Sequence, residues 1–277
     1  MLGIVIVSYR SDDRTVQFVR EELSRITVPY VTVVVDNGAT PEEAEALAGR
    51  LPGSVVIPAE NRGFAAGNNL GVNYLMERVH PDHILLTNND IHLTEGVVET
   101  LAGTLDAHPE AAAVGPEVRG TDGRRQGPYP YLGLWDRFVW MYLSTPFLSK
   151  EAKEEGFGLS YPGKALAGPH YTLSGCFLLV NPSDYTAVGG MDEGTFLYAE
   201  ENMLSDRFRA IGKCFWFEPD VAVVHEHGLT VDAHYNRRRK ALLQFDGMAL
   251  YYRNYRHYSR LATRVARMLY SLILRVK

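Results

Sequence analysis

Cysteine is scarce in this chain, and long apolar runs are missing. Its 277 residues hold two cysteines, Cys176 and Cys214, too few for a disulfide framework and without the paired spacing of a metal cluster. Cys176 lies in an apolar run, where a thiol reads as a small buried hydrophobe rather than a nucleophile. The longest apolar stretch near the C-terminus, Met268 to Leu274, is too short to span a bilayer. No basic region precedes Leu2-Gly3-Ile4-Val5-Ile6-Val7, so this segment reads as a first strand rather than a secretory leader, and a cytoplasmic location is expected. Internal repeats are absent as well. The lack of a G-x-G-x-x-G fingerprint argues against a dehydrogenase. With no Gly-rich, Arg- or Lys-bearing loop after the first strand, nucleotidyl transfer is disfavoured too.

What is present is ordinary in bulk and uneven in distribution. Hydrophobic content of 46% and charged content of 22% fit a globular protein with one large domain, or one domain and an appendage. Residues 236–277 carry eleven Lys or Arg and one acid, Asp246, or +10. With a formal net charge of −5, the first 235 residues therefore carry −15. An acidic body with a basic tail points to an anionic partner for the tail. Arg253, Arg256, Arg260, Arg264 and Arg267 recur at helical steps, opposite Leu261, Val265, Met268, Leu269, Leu272, Ile273 and Val276. The segment reads as one basic amphipathic helix suited to a membrane surface. The rest of the chain prepares nothing for a nucleic-acid backbone, so no nucleic-acid partner is expected.

Strand-like runs at Leu2–Ser8, Val31–Asp36, Ser54–Pro58, His83–Asn88 and Ala112–Pro116 alternate with helix-like segments at Arg14–Arg25, Pro41–Arg50, Ala65–Arg78 and Thr94–His108. Thr40, Pro41 and Glu43 form a helix-start signature with a capping box. The alternation predicts an α/β fold, a mostly parallel central sheet with helices on both faces. Residues 119–170 break the rhythm and read as an irregular, acceptor-side insertion. Beyond them, strands are expected at Tyr171–Val180, Lys213–Phe217 and Val221–Val224, and helices at Pro182–Val188 and Glu200–Ile211. The domain reading is 1–235 for the body and 236–277 for the tail.

Several constellations carry chemistry. The strand His83-Ile84-Leu85-Leu86 runs into Thr87-Asn88-Asn89-Asp90, a cluster of hard oxygen ligands suited to Mg²⁺ or Mn²⁺. A turn is the plain alternative. Asp36 ends a strand, where a carboxylate can accept a hydrogen bond from a base or ribose; an Asx-turn into Gly38 competes. Gly63, Gly67 and Gly71, four apart and interleaved with Arg62, Asn68 and Asn69, make a small-residue helical stripe that lets a backbone or ligand approach closely. Glu200 and Glu201 open a helix, either as favourable first-turn acids or as a general base. His225 and His227 sit at i and i+2 of an extended run, on one side, where a His can complete an oxygen-rich metal site.

Read in order, these pieces resemble the family 2 glycosyltransferases with a GT-A fold, in particular the rhamnosyltransferase type. The resemblance rests on Ile4–Tyr9, Val34–Asn37, Asn61–Gly71, Leu86–Asp90, Ser174–Leu179, Gly189–Glu193, Phe196–Glu201 and Val223–His225. It implies that Ser8, Tyr9 and Asp36 hold the base and ribose, and that Asn61, Arg62, Gly63 and Asn68, with Asn88 and Asn89, line the nucleotide-sugar pocket. It further implies Asp90 as a metal ligand for Mg²⁺ or Mn²⁺, His225 as a second metal ligand or a contact to the diphosphate, Gly175 on the acceptor side, and Glu201 as catalytic base beside Glu200. The implied activity is inverting transfer of a sugar, first choice rhamnose, from a dTDP- or UDP-sugar to a glycan or lipid-linked acceptor at the membrane's inner face. Two departures stand out. Glu200-Glu201-Asn202-Met203-Leu204 replaces the family's Glu-Asp-x-Asp-Leu, and Asn88 replaces an acid. Met203 and Glu201 keep open a second reading, a catalytically silent relative that binds nucleotide-sugar or glycan as an assembly module.

Overall fold

The computed structural model describes residues 1–144, 147–149, 152, 165–226 and 236–276. Among these, nine strands form one sheet in the order β3-β2-β1-β4-β8-β6-β9-β5, with β7 added alongside β9. The strands are β1 (Leu2–Ser8), β2 (Tyr30–Asn37), β3 (Ser54–Ala59), β4 (His83–Thr87), β5 (Ile91–Leu93), β6 (Ala111–Gly120), β7 (Gly168–His170), β8 (Phe177–Val180) and β9 (Cys214–His225). The helices are α1 (Asp12–Gln17), α2 (Pro41–Arg50), α3 (Phe64–Arg78), α4 (Val97–Ala107), α5 (Met141–Ser144), α6 (Pro182–Ala187), α7 (Glu200–Ala210), α8 (Arg237–Arg256) and α9 (Arg260–Val276).

The first four strands of the order are parallel, which the crossover connections through α1–α3 allow. Beyond β4 the sheet is mixed: β8 runs antiparallel to both β4 and β6, while β6 and β9 are parallel. The α2 start forms as expected, with Thr40 Oγ1 accepting from the Glu43 amide and the Glu43 carboxylate accepting from the Thr40 amide. The strand expected over Tyr171–Val180 is shorter, Phe177–Val180, because residues 171–176 turn away to border a cavity, bridging only Thr172 to Tyr129.

Alternation along the strands splits the interior in two. Ile4, Ile6, Val34, Leu85 and Leu179 pack on one face with α4, while Val5, Val33, Val35, Ile84, Leu86 and Leu178 pack on the other with α3 and α7. Here the glycine stripe finds its use. A β-carbon on Gly67 would stand 2.8 Å from Val7, and one on Gly71 would overlap Val5, so the stripe lets α3 lie tight on β1.

A third cluster lies apart from the sheet. Leu134, Phe138, Ala199, Met203, Phe245, Met248, Tyr251, Tyr252, Ala266 and Tyr270 are all buried together. The basic tail is thus two helices packed on the body, in place of the single helix its unbroken pattern suggested. His257 takes a left-handed conformation (φ 56°) and ends α8, and the chain folds back so that Asp246 of α8 pairs with Arg267 of α9 at 2.7 and 3.1 Å. The expected row of five arginines on one face is broken by this turn. Arg256 points inward, donating to Asp206 at 2.7 Å and to Tyr171 Oη at 2.8 Å.

Candidate active site

A cavity of about 680 Å³ opens where β1, β2 and β4 end, bordered by the 125–141 segment, the 172–176 turn, the start of α7 and one side of α8. Carboxyl ends of parallel strands leave backbone groups and loops free to face a ligand. Tyr9, Asn61, Gly63, Asn88, Asn89, Asp90, Gly175, Glu200, Glu201 and His225 all line it. Residues from six separate stretches of sequence meet at this one place.

The remaining expected residues are not in the lining. Ser8 is buried beneath it, its hydroxyl 2.9 Å from Thr15 Oγ1 and 3.2 Å from Ser11 Oγ. Those two hydroxyls in turn accept from the Asn89 side-chain amide at 2.8 and 2.9 Å, so Ser8 braces the Asn89 turn from below. Asp36 is buried one residue behind Asn37, which does line the cavity and donates to the Gly63 carbonyl at 3.2 Å. Burial and the nearby Asp12 and Glu43 carboxylates raise Asp36 to about 6. Arg62 points to solvent and pairs with Glu193 at 2.9 Å. Asn68 is buried in α3 and donates back to the Phe64 carbonyl at 3.0 Å; helical geometry turns it away from the opening.

Asp90 and His225 come from different strand ends and converge. Pairing of Ile91 with His225 brings β5 against β9, and Asp90 Oδ1 then lies 3.2 Å from His225 Nε2. His225 Nδ1 faces Gln126 Oε1 at 2.7 Å, and Asn88 Nδ2 stands 3.4 Å from Nε2. Burial lowers the His225 pKa, but the Asp90 carboxylate and the Cys176 thiol outweigh it and drive the imidazole up to about 10. With Nδ1 held by Gln126, the Asp90 carboxylate and the His225 Nε2 could both hold a divalent ion only once the imidazole gives up its Nε2 proton to make way for it. No group of three or more His, Cys, Asp or Glu gathers among the described residues. His227 lies outside the described residues.

The carboxylate pair is set by an unusual turn. Tyr198 and Ala199 both adopt positive φ, 74° and 77°, a costly conformation for residues with a β-carbon. Neighbouring glycines hold the turn in place. A β-carbon on Gly63 would overlap the Phe196 carbonyl, and one on Gly247 of α8 would stand 2.5 Å from the Tyr198 carbonyl oxygen. From this turn α7 starts with Glu200 buried and Glu201 at the cavity wall. A β-carbon on Gly175 would overlap the Glu201 carboxylate, so the longer acid is accommodated by the absence of a side chain opposite it. Burial and mutual repulsion push Glu200 upward, and burial raises Glu201 as well. Met203, which stands where the family pattern has an acid, is fully buried in the third core and does not line the cavity.

Sequence reasoning missed Gln126, Tyr129, Arg137, Lys240 and Gln244, all of which line the cavity. They sit in the irregular stretch and the tail, where no local pattern marks them. Asn37 was visible beside Asp36 but was not singled out.

No family model matches the sequence. An N-acetylglucosaminyl-diphospho-decaprenol L-rhamnosyltransferase of Mycobacterium tuberculosis is 27% identical over 249 residues, 81% of this chain and 76% of that protein. A mannosyltransferase from Pyrobaculum calidifontis, solved with GDP-Man and Mn²⁺, superposes with a TM-score of 0.59 at 13% identity, covering 99% of this chain and 74% of that one. The fold is that of the GT-A glycosyltransferases, and the sequence is similar to that of a rhamnosyltransferase. A low-salt glycan biosynthesis hexosyltransferase of Haloferax volcanii is 23% identical over 219 residues, 77% of this GT-A chain and 64% of that relative.

Proposed function

We propose that the protein is a glycosyltransferase that transfers its sugar with inversion, from a nucleoside-diphosphate donor to a hydroxyl of a glycan or lipid-linked acceptor in cell-surface polysaccharide assembly. Rhamnose from dTDP-rhamnose is the first choice of donor, supported by the name of the mycobacterial relative; a UDP-sugar is the alternative. The observation that carries the reading is that one cavity is lined both by the Asp90–His225 pair and by Glu201.

In this reading Tyr9, Asn37, Asn61 and Gly63 hold the nucleoside and its sugar, with Ser8 and Asp36 bracing the strand ends beneath. Asp90 and His225 would hold Mg²⁺ or Mn²⁺, which would supply positive charge to offset that of the departing diphosphate. Glu201 removes the proton of the acceptor hydroxyl. The oxygen's electron pair forms the new bond to the anomeric carbon as the bond to the diphosphate breaks on the opposite face. A single displacement inverts the centre and needs no carboxylate nucleophile, unlike retaining hydrolysis. Burial strengthens Glu201 as a base by disfavouring its charged form. Met203 packs in the third core rather than in the cavity.

Contact with a membrane surface also belongs to this reading. No helix of the described residues is long and apolar enough to cross a membrane. On α9, however, Leu261, Val265, Met268 and Leu272 are exposed and fall on one helical face, flanked by Arg264 and Arg275. Such a ridge fits the interface of an anionic leaflet.

The test is a thermal-shift panel of dTDP, UDP and their sugars with and without Mn²⁺, followed by a transfer assay. A metal-dependent shift should disappear in Asp90→Ala. Glu201→Gln should keep the shift while its turnover falls by about 10²-fold or more. Unchanged turnover in Glu201→Gln, or an undiminished metal-dependent shift in Asp90→Ala, overturns the assignment.

A further inference from the structure

The irregular stretch after β6 opens with a hairpin that returns to the Asp90–His225 side of the cavity. β6 ends at Gly120, which stands opposite His225 in the pairing of β6 with β9. The chain turns over residues 121–124. The Gly120 amide donates to the Arg124 carbonyl at 2.8 Å, and the Gln126 amide donates to the Val118 carbonyl at 2.8 Å. A buried carboxylate joins the two arms. Glu117 accepts from Arg119 Nε of the outgoing arm at 2.7 Å and from Arg125 Nε of the returning arm at 2.8 Å. Charge-assisted bonds to one acid from both arms fix the register of the hairpin.

That register delivers the Gln126 side chain to His225. Gln126 Oε1 lies 2.7 Å from His225 Nδ1. A carbonyl oxygen only accepts, so Nδ1 carries the hydrogen and the ring is held with Nε2 on the Asp90 side, 3.2 Å from Oδ1. The other end of the amide needs the space left by a glycine. A β-carbon on Gly120 would stand 3.2 Å from Gln126 Nε2 and 2.8 Å from Asp122 Oδ1. The amide nitrogen therefore shares that space with an accepting carboxylate, which suits the orientation with Oε1 toward the imidazole.

We propose that Gln126 is a positioning residue of the metal site, holding the His225 ring so that Nε2, and not Nδ1, meets an ion beside Asp90. The inference rests on the metal role given above to Asp90 and His225. It assigns the first residues of the 119–170 stretch to the metal side of the cavity rather than to the acceptor. A histidine ligand depends on the partner of its other nitrogen for ring orientation and tautomer, and loss of such a partner typically weakens metal binding by about 10- to 100-fold.

The test titrates Mn²⁺ into the whole chain and counts the free ion by its electron paramagnetic resonance signal. Pulsed measurement of the bound ion then reads the nitrogen modulation of a coordinated imidazole. The wild-type protein is expected to show that modulation, and His225→Ala to lose it. Gln126→Leu, which removes the accepting oxygen, should weaken Mn²⁺ binding by about tenfold or more and lose most of the modulation. Gln126→Glu keeps an accepting oxygen and should keep the modulation. A merely structural part for Gln126 would make both variants lose it together, which overturns the positioning role. So does a Gln126→Leu protein that binds Mn²⁺ as the wild type does, with the modulation intact. Failure of the underlying metal role looks different: the modulation is absent from the wild type or unchanged in His225→Ala, and the positioning role falls with it.

Discussion

Glu201 faces Gly175 across a gap that a methyl group would close. The pairing explains how a glutamate can stand where the resemblance suggests an aspartate. The extra methylene is taken up by an empty position on the 172–176 turn. Gly175→Ala is therefore expected to displace the Glu201 carboxylate and lower turnover by about tenfold or more while melting within a few degrees of wild type. A crystal structure of the variant with Glu201 unmoved would refute this account. Asp36 offers a test by pH. Its pKa is raised from 3.8 to about 6, so the folded state binds the proton more tightly than the unfolded chain. Stability from this group is full below about 3.8, falls as the pH rises, and is lost above about 6. Asp36→Asn should raise the melting temperature at pH 7.5 and have little effect at pH 3.5; an equal shift at both values would show that Asp36 is not the titrating group.

At the scale of elements, Gly247 is the informative position. A glycine in a helix interior normally costs about 1 kcal/mol relative to alanine, so Gly→Ala in α8 ought to stabilise the protein. Here the β-carbon would stand 2.5 Å from the Tyr198 carbonyl oxygen and 2.9 Å from that of Leu197, the turn that aims both carboxylates. Gly247→Ala is expected to destabilise by about 1–3 kcal/mol through overpacking and to lower transfer with it. A stabilised, fully active variant would show that the turn does not lean on α8. The α3 stripe predicts a separable effect. Gly71→Ala should cost stability by forcing α3 off Val5 of β1 and should leave donor binding per folded molecule unchanged, measured by calorimetry on the folded fraction. The capping box at Thr40 was legible because it is a local pattern, and local hydrogen bonds need no tertiary partner. The break at His257 was not legible. The local signals, a histidine tolerant of positive φ and a Ser259 hydroxyl accepting from the Ala262 amide, are weak, and packing of Ala266 and Tyr270 against Phe138 and Phe245 reinforces the fold-back.

Across the whole molecule, the tail is part of the body it was read as separate from in sequence. Phe245, Tyr251, Tyr252 and Tyr270 are fully or almost fully buried, so removal of α8 and α9 would strip the third core from around Ala199 and Met203. The apolar ridge of α9 can be tested without disturbing that core, because Leu261, Met268 and Leu272 are exposed. Replacing Leu261 and Met268 by Glu is expected to cut co-sedimentation with anionic vesicles by about tenfold or more while leaving the melting temperature within a few degrees. Equal vesicle binding by the variant would rule out the ridge as the contact.

The sequence by itself determined the alternation of strands and helices, the parallel pairing of the first strands, and the ends of those strands as the place for chemistry. Those features follow from apolar periodicity, caps and crossover geometry, which act over a few residues. Asp90, Glu201 and His225 were legible as candidates because each sits where an apolar run meets oxygen or nitrogen ligands. Only the tertiary structure decided which of them share a cavity, because strand pairing joins Asp90 to His225 across 135 positions of chain. It also decided that Arg62 and Asn68 lie outside the lining, that Met203 belongs to a core, and that Gln126, Arg137 and Lys240 belong to the site. Those outcomes depend on what the chain packs against, and no local pattern of residues encodes it.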